Sequence, residues 1–89
     1  MIKTESDMPI IFRHNTLAFL FYSNEGDPLE PLHIHARRGA SIAKFWIADD
    51  DVILAESYGF KAHELNQIAK IVKKNRKLIE RKWNEYFGT

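Results

Sequence analysis

Between residues 10 and 57 the apolar positions come in short bursts separated by turn formers. Residues 10–13 and 16–22 are β-branched and aromatic, the composition of half-buried strands. His14-Asn15 between them suits a two-residue hairpin turn, because asparagine tolerates positive φ. Residues 23–31 form the clearest loop, since Pro28 and Pro31 cannot sit in a central strand. Residues 33–37, a turn at Arg38-Gly39 and residues 40–47 follow. Asp49-Asp50-Asp51 then marks a turn before residues 52–57. Five short strands with tight connections predict an antiparallel meander. At Gly59 the period changes: Leu65, Ile68, Val72, Ile79, Trp83 and Tyr86 recur at steps of three, four and seven, one face of a helix. The register survives across Asn75, where a kink or short break is expected, and Gly88 ends the helix. The pattern predicts an α+β domain over residues 9–89, with the helical segment packed on one face of the sheet and residues 1–8 as a flexible tail.

Composition narrows the class. With 89 residues, 45% of them hydrophobic and 28% charged, the chain is that of an ordinary single globular domain. The absence of cysteine excludes a disulfide scaffold, thiolate zinc sites and thiol chemistry. The longest apolar run, residues 17–22, is far short of the ~20 residues that cross a bilayer. Residues 1–9 contain Glu5 and Asp7 and no apolar stretch of the secretory kind, so a cytoplasmic protein is expected. A chain this short holds only a shallow cleft, and no cofactor is expected.

The net charge of +1 hides an asymmetry: residues 1–60 carry five basic and nine acidic groups, residues 61–89 eight basic and three acidic. Opposite the apolar helix face run His63, Gln67, Lys70, Lys74, Lys77 and Arg81. Lys70, Lys74, Lys77 and Arg81, with Arg38, are candidate contacts to a nucleic-acid backbone. The plainer reading of that stripe is a solvated face complementary to the acidic part of the chain.

The stretch Pro31-Leu32-His33-Ile34-His35-Ala36-Arg37-Arg38-Gly39 carries the most chemistry. In a strand, His33, His35 and Arg37 share one face, while Ile34 and Ala36 turn to the core. If Ala43, Phe45 and Ile47 are the core set of the paired strand, then Ile42, Lys44 and Trp46 stand on the imidazole side, unless a bulge at Gly39 reverses them. That side is expected to be the wetter one. Three readings compete. Two imidazoles beside cations can move protons and stabilise a phosphorane-like anion, as metal-free RNA cleavage requires. Alternate histidines can ligate a metal if Glu56, Asp49 or His63 completes the set. Plainest of all, they are surface histidines that bond loop backbone or help a partner dock. Asp49-Asp50-Asp51 reads as a turn rather than a cation site, and Trp83 as core, with Trp46 open. No glycine-rich phosphate loop, nucleophile elbow or helical metal motif is present.

Several of these residues together resemble a known family. Met8-Pro9-Ile10-Ile11, Phe21-Tyr22-Ser23-Asn24-Glu25, Pro31-x-His33-x-His35-Ala36 and Gly39-Ala40 are followed by Leu54-Ala55-Glu56-Ser57-x-Gly59-Phe60 and Glu64-Leu65, and then by Asn75-Arg76-x-x-Ile79 and Trp83-Asn84-Glu85. This pattern resembles the bacterial domain-of-unknown-function 4160 family over roughly residues 8–87. Two positions depart from it: Leu32 stands where the family commonly has a second proline, and Lys61 where it often has serine. Lysine cannot accept the first N–H groups of a helix, so a frayed first turn is expected. The resemblance implies a small cytoplasmic toxin-like component of a toxin–antitoxin pair, with a small cognate protein encoded nearby as partner. It supplies no reaction.

The combined expectation is a protein acting on RNA without metal, in which His33 and His35 handle protons, Arg37 and Lys44 stabilise phosphate charge, and the basic stripe holds the backbone. The alternative is a regulatory module that binds protein or nucleic acid and has no catalytic activity.

Overall fold

In a computed structural model the chain is described over residues 9–22 and 29–88. The expected tail, residues 23–28 of the expected loop and residue 89 lie outside the described residues. Five strands form one antiparallel sheet in sequence order: β1 (Ile10–His14), β2 (Leu17–Leu20), β3 (His33–Arg38), β4 (Ser41–Ile47) and β5 (Val52–Tyr58). Two helices follow, α1 (Ala62–Lys74) and α2 (Arg76–Phe87). The meander and the α+β class are those that the pattern predicts.

Both expected hairpin turns sit one residue later than the sequence suggested. His14 pairs with Leu17, so Asn15-Thr16 makes the first turn, with Asn15 at φ 55°. Arg38 pairs with Ser41, so Gly39-Ala40 makes the second, with Gly39 at φ 60°. In each case the residue able to take a left-handed conformation leads the turn and its predecessor stays in the strand. The pairing of β3 with β4 runs without a shift from His33–Trp46 to Arg38–Ser41, so no bulge at Gly39 reverses the faces. The irregularities lie elsewhere, at Ile11 in β1 and at Ala55 in β5, where Lys44 pairs with Glu56 but Phe45 with Leu54.

One face of the sheet supplies Leu17, Phe19, Phe21, Ile34, Ala36, Ala43, Phe45 and Ile47 to the core, and the helices cover it with Ile68, Val72, Ile79 and Trp83. Aromatic packing closes both ends. Phe12 stacks on Phe19 at 4.4 Å, and Phe21 meets Trp83 edge-on at 5.1 Å, with Phe87 4.4 Å from Trp83. Each of the larger side chains stabilises the fold by roughly 1.5–3 kcal/mol through burial.

The helical segment breaks at Asn75, as the sequence suggested. The Asn75 N–H is shared between the carbonyls of Ile71 and Val72, its side-chain amide donates to Ile71, and its carbonyl accepts from Ile79. One residue thus closes α1 and opens α2. At the start of α1, Lys61 offers no cap, yet Glu64 Oε1 accepts the Lys61 N–H at 2.8 Å, which preserves half of a capping box. The other Glu64 oxygen pairs with Arg38 of β3. Gly59 joins β5 to α1 at φ 89°, and a Cβ there would lie 2.5 Å from Ser41 Oγ.

Candidate functional site

The face of the sheet away from the helices gathers the sequence candidates as expected. Across the sheet, Leu20 stands beside His35, His33 beside Trp46, His35 beside Lys44, and Arg37 between Ala18 and Ile42. The bulge at Ala55 then turns Glu56 and Tyr58 to this side, next to Lys44 and Ile42, with Ile53 next to Trp46. His33, His35, Arg37 and Lys44 are therefore neighbours on one surface.

Their environment is not the wet one expected. His33 is fully buried and His35 is 5% exposed. β2 ends opposite His35, and the His33 ring lies among Trp46 at 5.2 Å, Trp83 of α2 at 5.1 Å and the His35 ring at 5.2 Å, each approached edge-on. Its Nδ1–H donates to the Pro31 carbonyl at 2.8 Å. A carbonyl can only accept, so Nδ1 carries the hydrogen. Alternation puts His33 on the outer face, but large aromatic groups from two elements close over it. His35 stacks on Tyr22 at 4.0 Å. Together these two, with Ile42, Lys44, Glu56 and Tyr58, line a shallow cavity of about 250 Å³.

The Lys44 ammonium is engaged as well. It lies 3.1 Å from Glu30 Oε1 and 4.3 Å from the centre of the Trp46 ring, while the same Glu30 oxygen is 3.9 Å from His33 Nδ1. A lysine offset by a carboxylate and resting on an indole is poorly disposed toward an incoming phosphate.

The basic candidates lie on the other side of the molecule. Lys70, Lys74, Lys77 and Arg81 are exposed on the helices, behind a helix layer ~10 Å across and the sheet itself. They run over two helices rather than one, because Asn75 interrupts the stripe. Arg38 is tied to Glu64 and lies 5.2 Å from the Phe60 ring. Arg38 and Lys70 do share a groove of about 390 Å³ with His14 and His63, which linear spacing did not bring together. Lys77 lines a separate hollow with Arg76 and Glu80, and Arg81 stands 3.9 Å from Glu85. No single ligand surface spans the imidazole face and the whole basic stripe.

The Asp49-Asp50-Asp51 segment is a turn: the Asp51 carbonyl accepts from Ala48 N–H at 2.9 Å, its carboxylate accepts from Val52 N–H at 2.7 Å, and Lys73 lies 3.7 Å away. Among the described residues no three His, Asp or Glu side chains converge as a metal site. Of the three candidate third ligands, Glu56 reaches the His35 cavity, while Asp49 and His63 sit in the β4–β5 turn and on α1. No helix among the described residues is long and apolar enough to cross a membrane.

An accessible apolar feature that the sequence did not single out lies at the edge of the sheet. β5 is an edge strand, and all of its residues but Val52 are exposed, including Ile53 at 49%, Leu54 at 43% and Tyr58 at 72%. No strand among the described residues lies outside it.

Among known families, the model of the Domain of unknown function (DUF4160) matches residues 17–84, which takes in all of β2 to β5, α1 and most of α2. The chain matches no curated protein and no solved structure.

Proposed function

The chain belongs to the DUF4160 family, and we propose that it is a non-enzymatic docking module that takes up an extended segment of a partner protein along the outer edge of β5. The observation that carries this reading is the edge itself, seven residues long with three large apolar side chains turned to solvent. An edge strand offers a row of N–H and C=O groups that a second chain can pair, and alternate side chains supply selectivity. Edges that are not meant to be paired are blunted by lysine, by proline, by brevity or by a bulge, and of these β5 has the bulge, at Ala55. It contains neither lysine nor proline, and its one charge is Glu56.

The burial of the imidazoles supports the same choice. Proton transfer to a substrate needs a ring that the substrate can approach to hydrogen-bonding distance. His33 is enclosed by two indoles, and His35, stacked on Tyr22 and only 5% exposed, meets solvent only at the wall of the shallow cavity. They serve as the polar filling of an aromatic cluster that fixes β3 and β4 relative to α2. In a toxin–antitoxin-type pair, such a module would act by holding a protein, the cognate neighbour first among them, rather than by cutting RNA.

The test is complex formation between the purified chain and the purified product of the adjacent gene. Docking along β5 predicts a complex that Ile53→Lys abolishes and His35→Asn leaves intact. A complex indifferent to Ile53→Lys, or none at all, overturns the reading.

A second reading, nucleic-acid binding, draws on the exposed Lys70, Lys74 and Lys77. It predicts affinity for duplex or single-stranded probes that falls steeply with salt. Salt-independent binding, or no binding at low salt, removes it.

A further inference from the structure

The groove between the first hairpin and α1 lies apart from the β5 edge and has a chemistry of its own. We infer that it is a binding site for a phosphate monoester, a small molecule that bears a terminal dianionic phosphate group.

The sheet register builds one wall. His14 pairs with Leu17, and Ala18 pairs with Arg37, so Arg38 comes level with Leu17. Leu17 belongs to the core face, so His14 and Arg38 stand on that same side of the sheet. Helical spacing builds the other wall: His63, Gln67 and Lys70 recur at steps of four and three along α1. Between the walls lie Leu17 and Ile68, 7% and 2% exposed, as an apolar floor. The volume of about 390 Å³ falls in the range of ~300–1,000 Å³ that small-molecule sites occupy.

Charge decides what the groove admits. Four basic side chains, His14, Arg38, His63 and Lys70, share it with a single carboxylate, Glu64. That carboxylate is already engaged, one oxygen accepting the Lys61 N–H and the other holding Arg38. Lys70 and the two imidazoles remain. Among the described residues their side chains form no hydrogen bond or ion pair. Cations gathered from three places in the chain without a counter-ion repel one another, and a bound anion offsets that repulsion. A phosphate monoester carries about −1.5 to −2 charges and three acceptor oxygens, so it can accept from both walls at once. Asn15, Thr16 and Gln67 add uncharged donors. A phosphodiester has a single charge and fewer free oxygens, and matches this set less well. Lys74 and Lys77 do not line the groove, so the cations surround one hollow rather than follow an extended backbone.

The two imidazoles give the site a pH dependence. Histidine is the side chain whose charge changes between pH 5 and 8. A bound dianion favours the protonated rings, so binding takes up protons and tightens as pH falls. The charged groups that face the rings are Arg38, Glu64 and Lys70. The Lys61 N–H, and after it Arg38, hold the Glu64 carboxyl below its ordinary pKa, so it stays ionised.

Isothermal titration calorimetry of the purified chain with phenyl phosphate tests the site, beside inorganic phosphate, dimethyl phosphate and a single-stranded oligonucleotide without terminal phosphates. One saturable site for phenyl phosphate is expected, with a dissociation constant about fivefold lower near pH 6.5 than near pH 8. Lys70→Glu weakens binding about tenfold at both pH values. The double variant His14→Gln/His63→Gln loses the gain at the lower pH, with circular dichroism confirming that the fold is kept. Lys74→Glu, one turn further along α1 and outside the groove, stays within about twofold of wild type. Dimethyl phosphate and the oligonucleotide bind about tenfold more weakly than phenyl phosphate. Inorganic phosphate is also weaker, because it leaves the Leu17–Ile68 floor uncovered. No saturable binding of phenyl phosphate overturns the assignment. So does an oligonucleotide or free phosphate that binds as tightly, or a loss in Lys74→Glu equal to that in Lys70→Glu.

Discussion

Replacing His33 by alanine separates a structural imidazole from a chemical one. The ring is fully buried, has aromatic partners at 5.1–5.2 Å on three sides and donates one hydrogen bond to the Pro31 carbonyl. Truncating a buried ring in a close-packed site costs about 3 kcal/mol, of which each edge-on aromatic contact accounts for roughly 0.5–1 kcal/mol. Loss of the hydrogen bond, with the carbonyl left to find water, adds ~1 kcal/mol. The expected loss is therefore about 3–4 kcal/mol, a large share of the ~5–15 kcal/mol that holds a domain folded. At ~4–8 °C per kcal/mol for a chain of this size, the melting temperature drops by about 15 °C or more. Urea unfolding followed by tryptophan fluorescence is a well-placed assay, since both tryptophans of the chain, Trp46 and Trp83, border the ring. The native emission of the variant should also shift as water reaches the indoles. A loss below ~1 kcal/mol with unchanged emission would show an imidazole that is not packed and would return it to the list of accessible groups.

The remaining predictions concern the join between sheet and helices. Lys61→Ser gives α1 the side-chain acceptor it lacks and should stabilise the protein by ~1 kcal/mol in denaturant unfolding; a neutral result would show that the Glu64 contact already satisfies the turn. Gly59→Ala forces a side chain into a positive-φ position against Ser41 and should cost about 2–3 kcal/mol, whereas Gly39→Ala, with open space around it, should cost about 1 kcal/mol; equal costs would refute the close approach. The Lys61 N–H, and after it Arg38, hold the Glu64 carboxyl below its ordinary pKa. A carboxyl depressed in the folded state contributes stability above its unfolded pKa and loses it as pH falls through the lower folded value. Acid unfolding of Glu64→Gln should accordingly show a shallower slope in that window than wild type, and an unchanged slope would mean that the pair is not formed in solution.

Much of this molecule is written in local pattern. The alternation of His33 and His35 with Ile34 and Ala36, the helical recurrence of Ile68, Val72, Ile79 and Trp83, and Asn75 as the break all follow from period and propensity. The faces of β3 and β4 were legible for the same reason. What alternation cannot supply is what lies over a face. Trp83 reads correctly as a core residue of the helical stripe, yet it also closes over His33, and no one-dimensional spacing connects the two. The positions of Glu56 and Tyr58 were hidden differently. Strict alternation places them with Val52 and Leu54, and only the bulge at Ala55 sends them to the imidazole side. The joining of Arg38 and Lys70 with His14 and His63 in one groove depends on how α1 settles beside the first hairpin, a tertiary fact. The meander already puts β5 at an edge, but how much of it the helices leave uncovered is again a tertiary fact. From the sequence, Val52-Ile53-Leu54 looks like one more half-buried strand.

Backbone amide exchange along β5 tests the docking account most directly. With the purified product of the adjacent gene added in excess, the amides of residues 53–58 that point away from β4 should become protected from exchange, while those of β1 at the opposite edge remain as they were. Unchanged exchange along β5, with protection appearing instead around the His35 cavity or on the lysine-bearing face of α1, would contradict it.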